Sequence, residues 1–103
     1  KPKSWGIIYD KQGKSPLSST VARIFDKKFN KLLETQVTDK TGKYAFLVGK
    51  NEYYVVFERP GFAKQTSDNI DLTKTSDPVS VVGFDVEMQK QQMQNEMDIK
   101  KDI

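Results

Sequence analysis

The chain has 103 residues, with 17 Lys or Arg against 14 Asp or Glu, a net charge of +3, and neither Cys nor His. This length suits one small domain with one core. The composition excludes disulfides, thiolate metal sites and histidine-based acid–base or metal chemistry. The basic excess is small and interspersed with acids, so the clustered Lys/Arg face of a nucleic-acid binder is not expected. No apolar run approaches the ~20 residues of a membrane helix. The first residue is Lys rather than Met, and the chain reads as a fragment of a longer protein.

Short strands separated by turn residues follow in chain order up to about residue 88. Residues 5–10 form the first, ended by the turn Lys11-Gln12-Gly13-Lys14-Ser15-Pro16. Residues 20–25 and 32–38 read as the next two, with a polar turn at 26–31 between them. The run Thr38-Asp39-Lys40-Thr41-Gly42 then predicts a tight β-hairpin. Asp39 can bond its own backbone two residues on, and Gly42 takes a positive φ without steric cost. Residues 43–48 leave that turn with Tyr44 and Phe46 on one face. After Gly49-Lys50-Asn51, residues 52–58 make the most apolar strand, stopped by Arg59-Pro60-Gly61. A weaker strand spans 63–72, with Ile70 and Leu72 toward the core. In the last, residues 81–88, Val82, Phe84, Val86 and Met88 alternate with Gly83, Asp85 and Glu87. Residues 89–103 are rich in Gln, Lys and Met and read as a polar linker or short helical tail.

These elements predict an all-β, seven-stranded antiparallel β-sandwich over residues 1–88. Parallel pairing is not expected, because the short connections leave no room for crossovers. The expected core is Ile8, Ile24, Phe46, Val55, Phe57, Phe84 and Val86.

Carboxylates are the only plentiful reactive groups. Alternating strand direction gathers Asp10, Asp39 and the Arg59 bend at one end. No loop has the Asp-x-Asp-x-Asp spacing of a calcium site, so these residues read as turn formers and neither metal nor cofactor is expected, with calcium at the end loops as the alternative. The chain lacks a nucleophile elbow, a phosphate-cradling glycine loop and a paired-carboxylate cleft, so it does not read as an enzyme. Glu58 is the one acid whose apolar strand suggests burial. Alternation puts Trp5, Ile7 and Tyr9 on one face of the first strand. In the most apolar strand Tyr53, Val55 and Phe57 share one face, and Tyr54 and Val56 the other. One set in each strand points outward, which suits contact with a neighbouring domain, a protein partner or a sugar ring.

The order Gly6-Ile7-Ile8-Tyr9-Asp10, Gly13, Pro16-Leu17 resembles the opening of carboxypeptidase regulatory-like domains. Thr38-Asp39, Gly42, Tyr44 and Phe46 are similar to that family's Thr-Asp-x-x-Gly-x-Tyr-x-Phe signature. Tyr53, Val55, Phe57, Gly61 and Phe62 resemble a third motif, and the resemblance covers residues 5 to about 88. Two departures are Ser19-Thr20 in place of the usual Gly-Ala, and Phe62 in place of Tyr. The resemblance implies a prealbumin (transthyretin-like) Greek-key topology. It also implies a non-catalytic module of a larger surface or envelope protein, bacterial and extracellular, that works in spacing, protein binding or adhesion. The B-type repeats of collagen-binding adhesins share this grammar and often carry a Lys–Asn isopeptide bond promoted by an acid. Glu58 matches that acid, but the lysine expected near Ile8 is absent and the last strand offers Asp85 rather than Asn, so no such bond is expected. The expected partners are neighbouring domains of the same chain and a protein or glycan ligand. Neither nucleic acid nor membrane contact is expected. A carbohydrate-binding module and an accessory domain of a peptidase are the alternatives.

Overall fold

The computed structural model describes residues 4–91, and the tail from residue 92 onward lies outside the described residues. The described chain is all-β: β1 (Gly6–Asp10), β2 (Val21–Asp26), β3 (Lys31–Val37), β4 (Lys43–Tyr44), β5 (Phe46–Val48), β6 (Glu52–Glu58), β7 (Gln65–Thr66), β8 (Ile70–Asp71), β9 (Ser80–Val82) and β10 (Val86–Met88). Three of the expected extended segments, 43–48, 63–72 and 81–88, are each divided into two strands.

One sheet has the order β3-β2-β6-β7, with β8 also on β6. Its centre is the antiparallel β2–β6 pair, running from Val21↔Glu58 to Asp26↔Tyr53. The other layer has the order β10-β1-β4, and β5 pairs β9 beside it. Pairing in the described chain is mostly antiparallel, but β1 and β10 run parallel, with Ile8 opposite Val86. This parallel pair departs from the expected wholly antiparallel arrangement. These two strands come from opposite ends of the described residues, so everything between them serves as the crossover.

Alternation decides which side chains enter the core. Ile8 on β1, Ile24 on β2, Val55 and Phe57 on β6, Phe46 on β5 and Met88 on β10 are at most 1 % exposed. Each such side chain contributes about 1.5–3 kcal/mol by leaving water. Six of the seven expected core residues are buried. The seventh, Phe84, is half-buried and packs edge-on against Tyr44 and Phe57. Ile70 and Leu72 pack against the core from its margin.

The three divided strands share one device: a side chain supplies the hydrogen bonds that the ladder loses. At Ala45, between β4 and β5, the Gln36 amide of β3 accepts the backbone N–H at 3.0 Å and donates to the carbonyl. Between β7 and β8, Ser67 Oγ accepts the Val55 N–H at 2.9 Å. Between β9 and β10, the Tyr44 hydroxyl donates to Phe84 O at 2.7 Å and accepts Phe84 N–H at 3.0 Å. There too, the Asp85 carboxylate accepts Ile7 N–H at 3.1 Å. Burial pushes the Tyr44 phenol well above the ordinary tyrosine range, so it stays protonated and able to donate.

The turn at 38–42 forms with the expected chemistry but is not a hairpin. Asp39 Oδ1 accepts Thr41 N–H at 2.9 Å, and Gly42 has φ +70°. Yet β3 pairs with β2, and β4 with β1, so this turn carries the chain from one sheet to the other. Local turn residues specify a reversal, not which strands flank it. Gly42 is needed twice over: its carbonyl accepts Ile8 N–H at 2.8 Å, and a Cβ there would stand 2.6 Å from Ile8 O. Gly13 has a similar φ of +72° with open space around it. Urea unfolding separates the two demands. Gly42→Ala is expected to lose at least ~2 kcal/mol more stability than Gly13→Ala, since strain alone costs about 1 kcal/mol. Equal losses would mean that close approach at Gly42 is unimportant.

Candidate functional site

The loop 11–20 connects the turns expected to share one end. Leu17 O accepts the Thr38 hydroxyl at 2.6 Å, and Thr38 Oγ1 accepts Thr20 N–H at 3.0 Å. Arg59 Nε donates to Ser18 O at 2.7 Å. Asp10, buried at the end of β1, accepts Gln12 N–H at 3.0 Å and faces Lys90 Nζ at 3.5 Å. Backbone bonds extend the same end to residues 89–91: Ala63 N–H donates to Gln89 O and Gln91 N–H to Gly61 O. Asp39 is exposed and spends its carboxylate on Thr41. Asp39 therefore acts within its own turn, whereas Asp10 serves its turn and also meets Lys90 beyond β10. Among the described residues, no group of three or more acids is placed to hold a metal ion.

On the outer face of β1, Trp5 and Tyr9 each lie under a lysine. Lys43 Nζ stands 4.5 Å from the Trp5 ring centroid, and Lys14 Nζ 5.9 Å from that of Tyr9. Lys14 also pairs with Glu87, which sits opposite Tyr9 on β10 and raises the lysine's pKa through that hydrogen bond. Ile7 is half-buried between them. Tyr54 and Val56 belong to the outer face of the other sheet, so the five expected surface residues divide between two opposite faces. Tyr54 stacks on Phe25 at 5.0 Å and donates to Asn30 at 3.1 Å. Val56 is 8 % exposed, against the expectation that it points freely outward. It is covered by its own row, in which it lies between Arg23 and Thr66.

The registers assemble a larger surface there than the sequence suggested. Val37, Val21 and Glu58 form one cross-strand row, Thr35, Arg23 and Val56 the next, and Leu32, Phe25 and Tyr54 the third. Val37 is 63 % and Leu32 45 % exposed. The charges within these rows are Arg23 and Glu58, which pair with each other. Glu58 is thus half-exposed on an outer face; among the described residues the buried acids are Asp10 and Asp26. Sequence reasoning missed Val21, Arg23 and Phe25 here. Their signal was a strand, Val21–Asp26, apolar on both faces rather than one.

Two open grooves flank this sheet. One, about 470 Å³, lies over the β7–β8 bend, with Phe84, Gln65 and Asp68 in its wall. The other, about 430 Å³, lies where β2 and β6 meet the Arg59 bend. No helix among the described residues is long and apolar enough to cross a membrane. Compared with protein-family models the chain matches none, and no curated protein sequence matches it.

The turn carboxylates make a direct prediction about pH. Hydrogen bonds from the Thr41 hydroxyl and backbone hold the Asp39 carboxyl below its usual 3.8, and Thr73 does the same for Asp71. A depressed folded pKa means stabilisation present above the unfolded value and lost as pH falls through the folded one. Carbon-detected NMR titration should show both side chains ionising below pH 3.8, with Asp39 alone returning upward in Thr41→Val. Titration of Asp39 at its ordinary value would contradict the turn geometry.

Proposed function

We propose that this chain is a non-catalytic β-sandwich module of a larger surface or envelope protein, working in docking, spacing or adhesion. The observation that carries the reading is the β3-β2-β6 outer face, where Val37, Val21, Leu32, Phe25 and Tyr54 surround one ion pair. A sheet with one face in water ordinarily alternates to polar residues there; apolar rows on that side suit a partner. The resemblance to carboxypeptidase regulatory-like domains supports the same reading. Ser19, which stands where that pattern carries Gly, has φ +54°, a conformation that glycine adopts without strain. The positive φ at Ser19 and at Gly42 supports the resemblance. A transthyretin-like arrangement accommodates the sheet orders and the transfer of the chain between layers at residues 38–42. A glycan-binding role draws less support, because lysines lie over the exposed Trp5 ring and the half-buried Tyr9 ring.

The test is photo-crosslinking in the parent protein on intact cells. A photoreactive residue at Val37 or Leu32 should form adducts with a neighbouring domain or protein, and one at Gln12 should not. Protease added outside the cells should remove the module. Absence of adducts at Val37 and Leu32 would refute docking through this face, and full protection from external protease would refute the surface assignment.

A further inference from the structure

The groove beside Arg59 carries positive charge that no carboxylate among the described residues pairs. Its walls include Val21, Arg23, Glu58, Arg59, Pro60 and Lys64. Arg23 and Glu58 neutralise each other across β2 and β6. Arg59 and Lys64 remain, and neither has a carboxylate partner among the described residues. Arg59 is moreover held at two points. Its Nε donates to Ser18 O at 2.7 Å, and its guanidinium carbon stands 5.2 Å over the Phe62 ring. An arginine fixed this way has already lost most of its rotamer freedom, so a ligand that meets its remaining Nη donors avoids that cost.

We propose that this groove binds a carboxylate side chain of an acidic peptide segment, with Arg59 as the planar fork and Lys64 as the second cation. A carboxylate matches guanidinium geometry with two parallel hydrogen bonds. Glu58 in the wall disfavours a doubly charged phosphate, while Val21 and Pro60 suit the aliphatic arm of a Glu side chain. A sugar acid is a poorer match, because the Phe62 ring face lies under the guanidinium and offers no stacking platform. The inference rests on the docking reading above and adds the chemistry of the partner. Its failure leaves the crosslinks at Val37 and Leu32 unaffected.

The experiment is NMR titration of the nitrogen-labelled chain with hexaglutamate, hexalysine, trigalacturonate and inorganic phosphate at about 20 mM salt, where surface charges are weakly screened. Hexaglutamate should produce saturable shifts at Arg59 Nε, Val21 and Lys64. Arg59→Lys keeps the charge but removes the fork, and should weaken binding about tenfold. Lys64→Gln should weaken it about threefold without changing the melting temperature, which separates binding from folding. Any of three results overturns the proposal: no saturable shift, shifts spread equally over Lys27, Lys28 and Lys31, or unchanged affinity in Arg59→Lys. Tighter binding of hexalysine, trigalacturonate or phosphate than of hexaglutamate overturns it as well.

Discussion

The Tyr44 hydroxyl joins the strands on which the smaller layer depends. Where β1 begins at Gly6, the backbone of residues 83–85 passes so close that only glycine fits. A Cβ on Gly6 would stand 2.2 Å from Phe84 O, and one on Gly83 would stand 2.8 Å from Gly6 N. That crossing divides the extended segment 80–88 into β9 and β10 and leaves Phe84 without a strand partner. Tyr44 fills the place of the missing strand, donating to one backbone group of Phe84 and accepting from the other. An unpaired buried amide or carbonyl costs about 1–3 kcal/mol, so this single phenol decides whether the crossing is tolerable. It also packs against Phe46, Phe57 and Phe84, which ties the hydrogen bonds to the aromatic core.

The same principle recurs within one sheet at Ser67–Val55 and between the layers at Gln36–Ala45. Gln36 is informative because it sits on the edge strand β3 yet bonds the strand break of the opposite layer. With the inner faces committed in this way, the outer faces hold mostly exposed and half-buried side chains. The two differ in character. The β1 side carries aromatic rings covered by lysines, whereas the β2 side carries apolar rows with one neutralised ion pair and a cationic groove at its end.

Much of the local fold was legible. Alternation in Glu52–Glu58 identified the inward Tyr53, Val55 and Phe57, and the Asp39–Gly42 spacing identified the turn with its Asx bond and positive φ. What local pattern could not show was pairing between distant segments. The parallel β1–β10 contact joins the two ends of the described residues, and the turn at 38–42 looks the same whether it closes a hairpin or changes sheets. Strand interruptions were hidden because Gly83 and Ala45 fit an alternating pattern without revealing what crosses them. For the candidate site, Arg59 was visible only as a bend residue. Its constraint by Ser18 and Phe62 is set by tertiary contacts, and the outer rows through Val21, Arg23 and Phe25 appear only when the register is known.

The most direct test removes one oxygen atom. Tyr44→Phe keeps the ring and its aromatic contacts while deleting both hydrogen bonds to Phe84. Urea unfolding combined with amide hydrogen exchange should show a loss of about 2 kcal/mol and reduced protection of the Phe84 amide in particular. Stability within about 0.5 kcal/mol of the parent chain, with the Phe84 amide still protected, would contradict the account and show that the strand crossing holds without the phenol.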